Sequence, residues 1–130
     1  VLPAHHTVPA VGFAVEGNTG WWVFSGDTER NPAFWKRINT LKVACLVIET
    51  AFSNRESDLA RRSLHLSPEA LAQELAHIPA ANHYPIYITH TKPSETALII
   101  DEIKRFESTT NILQSQHDIR WLAAGQTVTV

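Results

Sequence analysis

The run Val43-Ala44-Cys45-Leu46-Val47-Ile48 is apolar at every position, without the alternation expected of a strand that has one wet face. Such a strand is covered on both sides, so the chain must build a layered domain around a central sheet. The flanking sequence supplies the other elements. Val11–Glu16 and Trp21–Phe24 read as strands joined by Gly17-Asn18-Thr19-Gly20, where Gly and Asn provide the positive φ of a tight turn. Asn31-Pro32 opens a short helix with Phe34, Trp35 and Ile38 on its inner face, and Arg55–Arg62 forms a polar surface helix. Ser67-Pro68-Glu69 repeats the cap, proline and acid opening ahead of Leu71, Leu75 and Ile78. Pro85–Thr89 is a further strand, and Pro93-Ser94-Glu95 starts a helix carrying Ile99, Ile103 and Phe106. Ile119–Leu122 and Thr127–Val130 are expected to close the chain as a hairpin around Gly125, while Ser108–Asp118 carries no clear element signal. Alternation of strands and helices, with no linker or repeat, gives one α/β domain over residues 1–130.

Composition narrows the function. The formal net charge is −2, so a nucleic-acid interface is not expected. No apolar run is long enough to span a membrane, and no charged lead-in precedes an apolar signal segment. The lone Cys45 sits within the apolar run as a small buried hydrophobe, which suits a reducing, cytoplasmic setting. The chain has no methionine and enters directly into Val1-Leu2-Pro3, which reads as the interior of a longer protein.

The chemistry gathers where strands give way to loops, the usual place for sites in α/β domains. Phe24-Ser25-Gly26-Asp27-Thr28 ends a strand in small residues and then presents a carboxylate able to bridge two cations. Ile88-Thr89-His90 ends another in an imidazole, the commonest nitrogen ligand of zinc. Glu49 ends the apolar strand itself, and His65 precedes the Ser67-Pro68 helix start; a carboxylate that orients an imidazole fixes a proton donor. Of the adjacent His5 and His6, extended chain directs only one toward a given site. His77, His83 and His117 read as surface residues, and the four tryptophans as core or rim aromatics.

In order, His6, Gly12-Phe13, Ser25-Gly26-Asp27-Thr28, Ile48-Glu49, His65-Leu66-Ser67-Pro68 and Thr89-His90-Thr91-Lys92-Pro93 resemble the metallo-β-lactamase superfamily, and more closely its class II cyclic-nucleotide phosphodiesterases. The resemblance runs from about His6 to Ile103. It implies half of an αββα sandwich, a mixed sheet with helices on one face. The superfamily's His-x-His-x-Asp-His element, which belongs to the N-terminal half, is not among these residues.

The resemblance further implies two divalent metal ions, zinc foremost with manganese or iron as alternatives. Its ligands are His6, Asp27 (which bridges both ions) and His90, with Glu49 and His65 as an acid–histidine pair near the leaving group. The implied activity is a metal-dependent phosphodiester hydrolase whose metal-bound hydroxide opens 3′,5′-cyclic nucleotides such as cyclic AMP to the 5′-monophosphate. Two alternatives stand beside it: a tRNA 3′-processing endonuclease or other phosphodiesterase of the same fold, and a non-catalytic scaffold. A half-sandwich leaves one apolar sheet face to be covered by the missing half or by a second copy.

Overall fold

A computed structural model describes residues 1–109 and 117–130. Six strands form one mixed sheet in sequence order: β1 (Leu2–Pro3), β2 (Val11–Glu16), β3 (Trp21–Phe24), β4 (Val43–Glu49), β5 (Ile86–Thr89) and β6 (Ile119–Trp121). β1, β2 and β3 pair antiparallel, and β3 through β6 pair parallel. The parallel crossovers hold the helices: α1 (Pro32–Ile38) between β3 and β4, and α2 (Ser57–Ser63) and α3 (Pro68–Leu75) between β4 and β5. α4 (Thr96–Thr109) follows β5.

Local chemistry sets the helix starts. The Asn31 side chain accepts from the Phe34 amide, and the Ser67 hydroxyl from the Ala70 amide, each with proline in the first helical turn. The acid seven residues beyond Ser67 has a larger role. Glu74 is buried, and its carboxylate accepts from Trp35 Nε1 at 2.6 Å, the Asn31 amide at 2.9 Å and Arg30 Nε at 3.3 Å. It joins α3 to the start of α1, and a buried charge paired this completely fixes their relative placement.

The two faces of the sheet differ. Phe34, Trp35 and Ile38 of α1, Leu71 and Leu75 of α3, and Ile99 and Ile103 of α4 pack with Val23, Leu46, Ile48, Ile86 and Ile88 in the main core. On the other face Cys45, Val47 and Tyr87 form a small cluster with Trp22 and Phe24. Burial raises the Cys45 thiol above its ordinary value, so it stays protonated and inert. Val11, Phe13 and Val15 remain exposed. Phe13 pairs with Phe24 and Val15 with Trp22, which places them on this second face.

The expected closing hairpin does not form. β6 pairs with β5, and the end of the chain runs across the second face, where Val128 and Val130 cover the Cys45 cluster and the Asn18 amide donates to Val130 O at 3.0 Å. Burying two valines on an apolar face outweighs the edge pairing a short hairpin offers. Of the stretch Ser108–Asp118, residues 110–116 lie outside the described residues. No helix among the described residues is long and apolar enough to cross a membrane.

The loop after β4 is fastened to α4. The Ser53 hydroxyl donates to the buried Glu95, Arg55 donates to it at 2.6 Å, and the Asn54 amide donates to Glu102 at 2.8 Å. The hydrogen bond from Ser53, followed by the bond from Arg55, holds the Glu95 carboxyl below its ordinary value of 4.5. A depressed folded-state value gives stability that is complete above the unfolded value and is lost as pH falls through the folded one. Acid unfolding of wild type is therefore expected to steepen below about pH 4.5. E95Q is expected to be less stable at neutral pH and to show a flatter acid limb; parallel limbs would remove Glu95 from this role.

Candidate functional site

Because β3, β4 and β5 run parallel, their C-terminal ends open at one edge of the sheet, and the residues that follow them converge. After β3 the Ser25 amide donates to Val47 O at 2.9 Å, carrying the ladder one residue further. Gly26 then turns at φ +65°, and a Cβ there would lie 2.4 Å from Val11 O. Only glycine suits both the angle and the approach, and the turn delivers Asp27 to the edge.

After β5, His90 also adopts the left-handed region, at φ 61°. That conformation costs a non-glycine residue about 1–2 kcal/mol. It is held by flanking bonds from the Thr50 amide to Thr89 O at 3.0 Å and from the Lys92 amide to Ala51 O at 3.1 Å. Strain retained in this way is characteristic of functional positions. His90 Nδ1 lies 2.8 Å from Asp27 Oδ1.

Glu49 ends β4 fully buried. Its Oε1 accepts from the Thr28 amide at 3.1 Å and faces His65 Nδ1 at 2.7 Å, while Oε2 accepts from the amides of Ala51 at 3.1 Å and Leu66 at 3.3 Å. Three backbone donors make an ionised carboxylate tolerable in this interior. An ionised carboxylate only accepts, so His65 carries its hydrogen on Nδ1 and leaves Nε2 for chemistry. His6, from the loop between β1 and β2, is oriented in the same way: its Nδ1 lies 3.2 Å from Leu64 O. Leu64 ends α2 in the left-handed region, at φ 56°, which presents that carbonyl.

The structure thus brings together all five residues singled out from the sequence. The His65 ring stands between those of His6 and His90, at 4.7 and 5.2 Å, with Phe52 at 5.8 Å. His6, Asp27 and His65 each offer a ligand atom, all within 4.8 Å of one another. Two imidazoles and a carboxylate at that spacing fit zinc, manganese or iron. His65 therefore lies close enough to be a ligand, and His90 reaches the cluster through Asp27. His77 and His83 are exposed and His117 is half-buried.

Two participants carry no sequence signal: Leu64 is a residue type that disfavours left-handed backbone, and Phe52 is one aromatic among several.

The mixed sheet with helices on one face and a partly covered apolar face opposite has the fold of half of a metallo-β-lactamase αββα sandwich. The solved structure of unliganded yeast PDE1 shares this fold, with a TM-score of 0.60 over 93% of this chain at 15% sequence identity. The chain spans 45% of that protein's length. No protein-family model matches the chain, and no curated protein matches it in sequence.

Proposed function

We propose that the chain is the C-terminal half of a metal-dependent phosphodiesterase that hydrolyses 3′,5′-cyclic nucleotides such as cyclic AMP to the 5′-monophosphate. The observation that carries this reading is the convergence of His6, Asp27 and His65 within 4.8 Å, with His90 on Asp27 and Glu49 on His65. The fold shared with a yeast phosphodiesterase supports it. His6, Asp27 and His90 would hold the metal. Divalent cations bound there would supply a hydroxide nucleophile at neutral pH and neutralise phosphoryl charge. Opening the cyclic diester leaves a 3′ alkoxide that needs a proton, and His65, doubly protonated with Glu49 holding its Nδ1–H, would give that proton from Nε2. The reading is tested by offering cyclic AMP with zinc or manganese and measuring 5′-AMP with and without a chelator. A metal-free, inactive protein would instead be a scaffold of the same fold.

The two histidines next to Asp27 separate by metal content. H90A is expected to lose most bound metal and its activity together. H65A is expected to keep metal near the wild-type level while turnover falls by about 10²-fold, the usual worth of a general acid. The reverse pattern would make His65 the ligand and His90 the second residue.

The exposed face formed by Val11, Phe13 and Val15 is covered by the N-terminal half of the sandwich, or by a second copy where that half is absent. Residues 1–130 alone are therefore expected to dimerise or aggregate in light scattering, and a stable monomer would contradict this.

A further inference from the structure

His65 also lines an open cavity of about 240 Å³, together with Arg30, Arg61, Glu29, Glu69 and Gln73, while His6, Asp27 and His90 do not. His65 is thus common to the site and this cavity, so a ligand whose reacting group sits at His65 can extend into it. We infer that the cavity takes the nucleoside portion of the substrate, with Arg30 as its principal contact; this rests on the phosphodiesterase reading above.

Arg30 is the most firmly built part. Its Nε is tied at 3.3 Å to Glu74, a buried carboxylate that also holds the Asn31 amide and Trp35 Nε1. The guanidinium is therefore fixed at one end while half of the side chain is exposed. Its terminal nitrogens hydrogen-bond nothing among the described residues. A planar, anchored fork of this kind both stacks on a ring and donates two parallel bonds to it. Arg61 differs: it is largely exposed and already paired with Asp58 at 2.7 Å.

The charge balance favours a nucleoside over a longer anion. Two guanidiniums face two carboxylates, so the lining has no positive excess to attract a phosphate chain. It does offer donors and acceptors side by side, which match the hydroxyls of a sugar and the edge of a heterocyclic base.

The test uses the intact parent protein loaded with zinc and three probes: adenosine, 5′-AMP and inorganic phosphate. Adenosine is expected to shift the amide resonances of Gln73 and Ala70, and R30A to weaken adenosine and 5′-AMP binding at least tenfold. Inorganic phosphate, which lacks the nucleoside, is expected to bind R30A as it binds wild type. R30K, which keeps the charge without the fork, is expected to recover only part of the loss. R30A leaves Glu74 with the Asn31 amide and Trp35 Nε1 as donors, and its melting temperature checks that the fold is kept. Adenosine that shifts resonances elsewhere, or binding that R30A leaves unchanged, overturns the assignment. If adenosine binds as described but cyclic AMP is not hydrolysed, the cavity stands and the phosphodiesterase reading falls.

Discussion

Replacing Asp27 by Ala is expected to lower phosphodiester hydrolysis by about three orders of magnitude, with bound metal falling in the same preparation. The two losses are linked because the carboxylate would hold the metal that the reaction needs. Stability is expected to change little. Asp27 is partly exposed, and its one ion pair, with His90, involves two partly exposed groups. Such pairs contribute about 0–1 kcal/mol. A D27A protein that melts near wild type but holds no metal and turns over nothing is the predicted result. Metal and turnover that survive together would remove Asp27 from the centre of the account.

Glu49 is expected to behave in the opposite way. It is buried, and E49A would leave the amides of Thr28, Ala51 and Leu66 and the Nδ1 of His65 without their acceptor. Removing one partner from a buried charged network costs about 3–5 kcal/mol. For a chain of this size that lowers the melting temperature by roughly 10 °C or more. E49Q keeps the volume but turns an amide NH2 toward backbone donors, and it is expected to fall between the two. Thermal unfolding of the three proteins checks this. An E49A melt within a degree or two of wild type would mean that water replaces the carboxylate and that the network is not structural. His65 loses its acceptor in E49A, so activity there falls beyond what stability accounts for.

These two acids show what could be read from the sequence. Asp27 is visible because Ser25-Gly26 precedes it at the end of an apolar strand, and glycine there has a geometric cause in its approach to Val11 O. Glu49 and His90 are visible for the same reason: each closes an apolar run, and parallel pairing then carries all three to one edge. His65 and His6 were placed by the order of motifs, since neither ends a strand; only the fold shows that the ring of His65 lies between the other two.

Long-range polar anchoring was not visible. That Glu74 reaches 39 positions back to Trp35 Nε1 depends on how α3 packs on α1, which local spacing does not encode. The same holds for Leu64, whose left-handed turn is set by tertiary contacts against its own preference. The closing hairpin failed for a related reason. Gly125 does turn the chain, at φ +80°, but Thr127–Val130 finds a better apolar surface on the sheet than along β6. Local turn chemistry was legible there, and the competing surface was not.

The most direct test of the central claim is hydrolysis of 3′,5′-cyclic AMP followed by phosphorus NMR, first on protein stripped with a chelator and then after zinc or manganese is restored. The account predicts no conversion in the stripped protein and recovery of 5′-AMP, with no 3′-AMP, once metal returns. Metal-restored protein that leaves cyclic AMP intact, or turnover indifferent to the chelator, would contradict it.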